Sequence, residues 1–250
     1  MSVFLTLVRR ELGGTFKSLT GYIVIAVVLL LAGICLVDMI TKLNGGVTEA
    51  PVTQMFYQSY FFWIILLPIT PVITMRSFAA EKASGTYEAL MTTPVGDWQV
   101  VLAKFAGALV FYLLAWLPLL GVLFVLRQVT HQPEYLEPRA TAGAFLGLTL
   151  IGSLYLSMGC LASALTRSQI IAAVLSFLMG VALWVISLRP NAADPAQGAL
   201  GRAFDHMSLM RHMEDFARGV IDSRHLVFYV TSTVFFLFLT TRVVESRRWQ

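Results

Sequence analysis

Leu19 to Val37 read LTGYIVIAVVLLLAGICLV, a stretch of nineteen residues without a charged side chain. A helix needs about 20 apolar residues to cross the hydrocarbon core of a membrane, which is ~30 Å thick. The apolar part of this stretch is longer than that of a secretory signal, and no small-x-small cleavage site accompanies it. The stretch therefore predicts a helix that spans a membrane and is retained there.

Five further apolar stretches follow along the chain. They cover approximately residues 56–75, 105–126, 142–165, 170–188 and 226–240. The composition agrees, because 57% of the residues are hydrophobic, only 13% are charged and the mean hydropathy is +0.75. Such values lie far outside the usual range for a soluble domain. We expect an all-α integral membrane protein of six spans that forms a single transmembrane domain over residues 1–250.

The distribution of Lys and Arg predicts the orientation in the membrane. With the N-terminus in the cytoplasm, ten of the eighteen Lys and Arg residues fall on cytoplasmic segments. Five of the other eight lie in one long loop, and long loops are the least informative for orientation. Both termini are therefore expected in the cytoplasm. The net charge of +4 is scattered along the chain, which argues against a nucleic-acid surface.

Residues 1–18 predict a helix outside the spans. An apolar stripe at helical spacing is formed by Phe4, Val8, Leu12, Phe16 and Leu19. Basic residues and glycines lie on the opposite side, which favours an amphipathic helix in the plane of the membrane. A short helix packed on the bundle is an equally good interpretation.

A second extra element is predicted over residues 76–104, on the cytoplasmic side. The pattern indicates a helix to Ala83, a break at Ser84 and Gly85, and a short helix from Thr86 to Met91 that Pro94 prevents from continuing. A simple connector would need only a few polar residues. The segment therefore predicts a docking element rather than a plain loop.

Residues 189–224 are expected outside the cell membrane and end in an amphipathic helix. Its apolar stripe consists of Leu209, Met210, Met213, Phe216, Ala217 and Val220. Glu214 and Arg218 form an i,i+4 pair on the other side. We expect this helix to cap the outer end of the bundle.

The same helix raises a metal hypothesis. His206, Met210 and Met213 follow at i, i+4 and i+7, and thioether and imidazole groups suit Cu(I). However, methionine commonly fills apolar faces, and the stripe explains Met210 and Met213 without a metal. We therefore expect no metal site.

Other sequence signals bear on chemistry and assembly. The middle of each predicted span has no acid, base or histidine of the kind that ion-coupled carriers need. The motifs His-Glu-x-x-His and G-x-x-x-x-G-K-[ST] are absent, so we expect no enzyme activity and no cofactor bound by this chain. Gly143-x-x-x-Gly147 predicts a close helix contact, either within the chain or between two copies.

Five short segments are typical of one protein family. They are residues 9–12 (RREL), 18–24 (SLTGYIV), 81–94 (EKASGTYEALMTTP), 214–222 (EDFARGVID) and 243–249 (VVESRRW). In these segments the chain resembles the permease subunits of type-2 ABC exporters. It is most similar to the gliding-motility-type and nitrous-oxide-reductase-maturation-type permeases. Where the family has a proline after the serine that begins its first span, this chain has Leu19.

The resemblance implies a set of partners. Two six-helix permeases pair as a homodimer or heterodimer, and separate ATP-binding cassette subunits, which hold ATP and Mg²⁺, dock underneath. The complex lies in the bacterial cytoplasmic membrane, in contact with lipid. An extracytoplasmic accessory protein is a further candidate partner. On this interpretation the chain is the permease of an ATP-driven exporter or force-transmitting complex.

The resemblance also assigns roles to individual residues. The interfacial helix is represented by Arg9, Arg10, Glu11 and Leu12. The coupling residues that contact the ATPase are Glu81, Lys82, Gly85, Thr86, Glu88, Leu90 and Pro94. The extracytoplasmic cap contains Met210, Met213, Phe216 and Arg218. Two other functions stay open, namely a non-transporting scaffold of a motility or metalloenzyme-maturation complex and, less favoured, a secondary carrier.

Overall fold

The computed structural model describes residues 3–44, 60–86, 96–130, 138–188 and 207–246. Within these ranges it contains helices and no strand. The helices are α1 (Val3–Phe16), α2 (Leu19–Asn44), α3 (Tyr60–Thr74), α4 (Ala79–Ser84), α5 (Asp97–Thr130), α6 (Pro138–Leu165), α7 (Gln169–Ser187), α8 (Leu209–Ala217) and α9 (Ser223–Ser246).

Six segments of the described chain are long and apolar enough to cross a membrane. They are Leu19–Asp38, Phe62–Ser84, Asp97–Gly121, Pro138–Leu165, Gln169–Ser187 and Ser223–Ser246. The prediction of an all-α protein with six spans is thereby confirmed. Several helices extend beyond the apolar windows, since a helix continues into polar sequence until a breaking residue ends it.

Helix α6 lies at the centre of the bundle. Between Ile151 and Ala164 every side chain except that of Ser153 is buried. The N-terminal half of α6 contacts α8, whereas its C-terminal end contacts the start of α4. Gly143 and Ser163, which mark these two contacts, are twenty residues apart in the helix, a distance of about 30 Å at the rise of an α-helix. Helices α4 and α8 therefore lie at opposite ends of the bundle.

The small residues of α6 are used for packing inside the chain. A Cβ atom on Gly147 would lie 2.9 Å from the ring of Phe216, and one on Gly143 would collide with the Phe216 carbonyl oxygen. Farther along α6, Gly152 faces the ring of Tyr112. These contacts favour the intrachain interpretation of Gly143-x-x-x-Gly147.

Helix α1 packs on the core of the bundle through side chains of its C-terminal half. Leu12 and Phe16 contact the core, and the Phe16 and Phe111 rings meet edge to face at 5.2 Å. Leu19 is 77% exposed, so it does not continue the predicted stripe. The reason is local, since a turn at residues 17 and 18 separates α1 from α2 and resets the helical phase.

In helix α8 the predicted apolar stripe likewise holds only up to the end of the helix. Leu209, Met213, Phe216 and Ala217 are buried as the stripe predicts. Val220 is 54% exposed, because the helix ends at Ala217 and Gly219 follows with φ +76°.

Candidate functional site

The turn between α3 and α4 is bonded to the end of α6. The Ser163 hydroxyl accepts hydrogen bonds from the backbone N–H groups of Phe78 and Ala79, each at 3.0 Å, and donates one to the Met75 carbonyl at 3.1 Å. The two N–H groups are buried, and a buried donor without a partner costs roughly 1–3 kcal/mol. One side chain thus fixes how the chain enters α4.

Lys82 makes a second attachment between the same elements. Lys82 is only 9% exposed, and its ammonium group donates a hydrogen bond to the Ala164 carbonyl oxygen. Ala164 lies in the last turn of α6, where backbone carbonyls lack partners within the helix and a cation is favoured. Lys82 therefore caps α6 from the side of α4.

Four charged side chains meet at the same end of the bundle, and we call them the Lys104 cluster: Arg10 of α1, Glu11 of α1, Glu81 of α4 and Lys104 of α5. The Lys104 ammonium lies 2.8 Å from Oε1 of Glu81 and 3.0 Å from Oε1 of Glu11. Arg10 adds longer contacts to the same two oxygens, at 3.4 and 3.2 Å. The cluster joins three separate helices through charge.

Burial divides the cluster into strong and weak parts. The Lys104 side chain is 2% exposed and the two carboxylates are 22–23% exposed, whereas Arg10 is 52% exposed. An exposed pair contributes at most about 1 kcal/mol, but a buried charge that loses its partner costs about 3 kcal/mol or more. The Lys104 ammonium also lies 5.3 Å from the centre of the buried Phe78 ring, a favourable cation–π distance. Lys104 is therefore the residue that holds the cluster together.

Helix α4 ends at a glycine whose backbone conformation few other residues adopt easily. Gly85 has φ +74°, in the left-handed region where a Cβ atom causes strain. The residues around it, Ala83, Ser84 and Thr86, are exposed. Three other predicted coupling residues lie outside the described residues: Glu88, Leu90 and Pro94. The predicted helix from Thr86 to Met91 also lies outside them, apart from Thr86 itself.

The four predicted residues of α1 do not share one environment. Arg9 is exposed, Arg10 and Glu11 belong to the Lys104 cluster, and Leu12 packs on the core. Glu81 and Lys82 lie on the side of α4 that faces the bundle, whereas Thr86 follows on the exposed side.

At the opposite end of the bundle, α8 covers α6 and α7. The Leu209 backbone N–H donates to the Ser187 hydroxyl at 3.0 Å, and Phe216 fills the gap above Gly147. Met213 is 1% exposed and belongs to the core, while Met210 packs at its edge. Arg218 pairs with Glu214 at 2.6 Å, as the i,i+4 spacing predicts. His206, the other member of the copper hypothesis, lies outside the described residues.

Two histidines meet beneath α8. The imidazole rings of His212 and His225 are 4.0 Å apart between centroids, and His212 is only 2% exposed. Asp215 lies 3.8 Å from Nε2 of His225. The neighbouring Asp222 carboxylate accepts a hydrogen bond from the Arg224 backbone N–H at 2.8 Å. This hydrogen bond and the nearby His225 lower the pKa of the Asp222 carboxyl. Within the described residues, no group of three His, Cys, Asp or Glu is placed to hold a metal ion.

Sequence reasoning missed Lys104 and the histidine pair. A signal for Lys104 existed, because a single lysine within VVLAKFAGALV needs an oxygen acceptor once the helix is buried. The pairing of His212 with His225 has no such signal, since thirteen positions and a loop separate them.

The fold and these contacts define a multi-pass helical membrane protein whose short helices are bonded to the ends of its spans. The family model of the ABC-2 family transporter proteins matches residues 40–200, more than half of the chain. The chain therefore belongs to the ABC-2 transporter family and is the permease-type membrane subunit of an ABC transporter. Membrane domains of this family are typically transport subunits without catalysis. No curated protein was found to match the chain.

Proposed function

We propose that this chain is the permease of an ATP-driven exporter or force-transmitting complex, energised by a separate ATP-binding subunit that docks on residues 81–94. The observation that carries the proposal is the double attachment of α4. Glu81 connects it to α5 through Lys104, and Lys82 connects it to the end of α6.

The attachment gives α4 the properties of a lever. The helix has six residues and ends in exposed positions around Gly85, but its inner side is fixed by charge and hydrogen bonds to two spans. A displacement applied to the exposed side must therefore move α5 and α6, or break buried ion pairs. Breaking them is costly, so movement of the spans is the favoured response.

The proposal also covers the permease subtype, the membrane and the orientation of the chain. The segments EKASGTYEALMTTP and EDFARGVID support a place near the gliding-motility-type and nitrous-oxide-reductase-maturation-type permeases. We assign the protein to the bacterial cytoplasmic membrane, paired with a second permease, with α4 in the cytoplasm and α8 outside. ATP and Mg²⁺ are held by the partner.

Site-specific photocrosslinking in intact cells tests docking and orientation together. A photoreactive amino acid is placed at Ala83, exposed on α4, and as a matched control at Val220, exposed at the opposite end. We expect a P-loop ATPase to be crosslinked at Ala83 and not at Val220. A crosslink to the ATPase from Val220 would refute the orientation, and the absence of any ATPase from both positions would favour the scaffold function.

A further inference from the structure

A cavity of about 320 Å³ opens between α1, the start of α2 and the end of α3. It lies where the first span begins and α3 ends, a position that corresponds to the lipid headgroups of a bilayer. The Lys104 cluster borders it only through Arg10 and Glu11. The rest of its lining plays no part in the attachment of α4.

The polar wall of the cavity is suited to a phosphate. Arg76 is exposed, lines the cavity and donates to the Thr20 hydroxyl at 3.0 Å. Ser18 lies 2.9 Å from Thr20, and its hydroxyl donates to the Thr15 carbonyl. These hydroxyl groups are engaged with one another and with the backbone, and the guanidinium groups of Arg10 and Arg76 line the same space. Guanidinium groups bind phosphate oxygens through paired N–H donors.

The charges of the lining favour a singly charged anion. Glu11 is the one acid among the lining residues that the structure describes, and it is already bound to Lys104 and Arg10. Arg76 contacts no carboxylate within the described residues. One positive charge is thus left over at the cavity, which complements a phosphodiester but not a group that also carries an ammonium.

Part of the cavity lining is apolar. Val24, Val72, Ile73 and Phe111 line it. Next to it, α2 presents Ile23 and Val27, which are 50% and 41% exposed, toward the surroundings. A ligand with a charged head and long apolar chains fits this arrangement, whereas a free inorganic anion would leave the apolar wall unused.

We propose that this cavity binds the phosphodiester headgroup of an anionic glycerophospholipid, with Arg76 and Arg10 contacting the phosphate and the acyl chains lying along α2. The site is distinct from ATPase docking, and its test does not depend on that function. It would hold the joint between α1 and α2 at the membrane surface.

Two glycines of α1 offer a matched test. Gly14 lines the cavity, whereas its neighbour Gly13 does not, and a Cβ atom on either would meet nothing within 4 Å. The leucine side chain of Gly14→Leu should therefore fill part of the cavity that the lipid would occupy. Gly13→Leu makes the same chemical change outside the cavity. Arg76→Gln removes the leftover charge, and Arg167→Gln, an exposed arginine at the same end of the bundle, is its control.

The measurement is native mass spectrometry of the full chain with its co-purifying subunits, titrated with dioleoyl-phosphatidylglycerol or dioleoyl-phosphatidylcholine. We expect the first phosphatidylglycerol to bind about tenfold more tightly than phosphatidylcholine, and Arg76→Gln or Gly14→Leu to remove that preference. Gly13→Leu and Arg167→Gln should retain it. Equal binding of the two lipids, equal loss with Gly13→Leu, or displacement of the lipid by excess inorganic phosphate would overturn the proposal.

Discussion

The Nζ atom of Lys104 lies 2.8 Å from Oε1 of Glu81, although Lys104 belongs to a membrane-spanning helix and Glu81 to the six-residue helix α4. The contact joins an element with an exposed surface to the interior of the bundle. Because Lys104 also reaches Glu11 of α1, one buried ammonium connects three helices.

Removal of the Lys104 charge should destabilise the protein. Lys104→Met leaves Glu11 and Glu81 close together without their buried cation, and we expect the free energy of unfolding to fall by about 3 kcal/mol. Adding Glu81→Gln should recover part of the loss, because one uncompensated carboxylate is removed. Thermal unfolding in detergent measures both effects. The control is Arg218→Gln, which breaks an exposed ion pair and should cost less than about 1 kcal/mol. Strictly additive effects of Lys104→Met and Glu81→Gln on the free energy of unfolding would contradict the coupling between the two residues.

The left-handed conformation of Gly85 should be needed for ATPase docking. Gly85→Pro cannot adopt φ +74°, since the proline ring holds φ near about −65°. We expect normal insertion into the membrane but loss of ATPase co-purification. Gly85→Asn is the matched control, because asparagine tolerates this conformation and should retain the ATPase. Full ATPase recovery with Gly85→Pro would show that the end of α4 does not take part in docking.

The packing of α8 on α6 should be destabilised by a single added methyl group. A Cβ atom on Gly147 would lie 2.9 Å from the Phe216 ring, so Gly147→Ala should destabilise the protein by about 1–3 kcal/mol. Phe216→Leu added to Gly147→Ala should restore part of the stability by making room. Gly33→Ala, at a helical glycine with nothing nearby, serves as the control in the same unfolding measurement. Equal melting temperatures for Gly147→Ala and Gly33→Ala would refute the contact.

Leucine should replace both methionines of α8 without loss of function. Met213 is buried in the core and Met210 packs at its edge, and a volume-conserving exchange costs less than about 1.5 kcal/mol at each site. Because leucine cannot coordinate a metal, the double variant separates packing from copper binding. Growth or transport should be the same with and without added copper. A copper-dependent defect in the double variant, at normal membrane levels, would show that thioether ligation matters.

The spans could be predicted from the sequence because a bilayer imposes a simple requirement on length and hydropathy. Local breaks could also be predicted, as at Ser84 and Gly85, where α4 ends. The apolar stripe of α8 matches burial from Leu209 to Ala217, whereas in α1 only Leu12 and Phe16 of the stripe pack on the core and Phe4 is exposed. The stripes failed at Leu19 and Val220, because a turn changes the helical phase and periodicity does not show where the turn lies.

The contacts between distant elements could not be predicted in the same way. The isolated Lys104 indicates that a partner is needed, but the sequence does not show that this partner is Glu11 together with Glu81. Their meeting depends on how three helices pack. The same holds for Ser163, whose hydroxyl binds a turn 85 residues away. Gly143-x-x-x-Gly147 shows the converse case, since the motif predicted a close contact but its partner, Phe216, is visible only in the fold.

The rate of ATP hydrolysis by the purified permease–ATPase complex in a lipid bilayer tests the central claim most directly. The double variant Glu81→Gln with Lys104→Met should still assemble with the ATPase, because the exposed end of α4 is unchanged. We expect its permease-dependent ATP hydrolysis to fall about tenfold or more, since α4 is no longer joined to α5. The exposed pair Arg242–Glu245, 2.9 Å apart near the end of α9, provides the matched double variant with glutamine at both positions, which should hydrolyse ATP at the native rate. Native rates in both double variants would contradict the account.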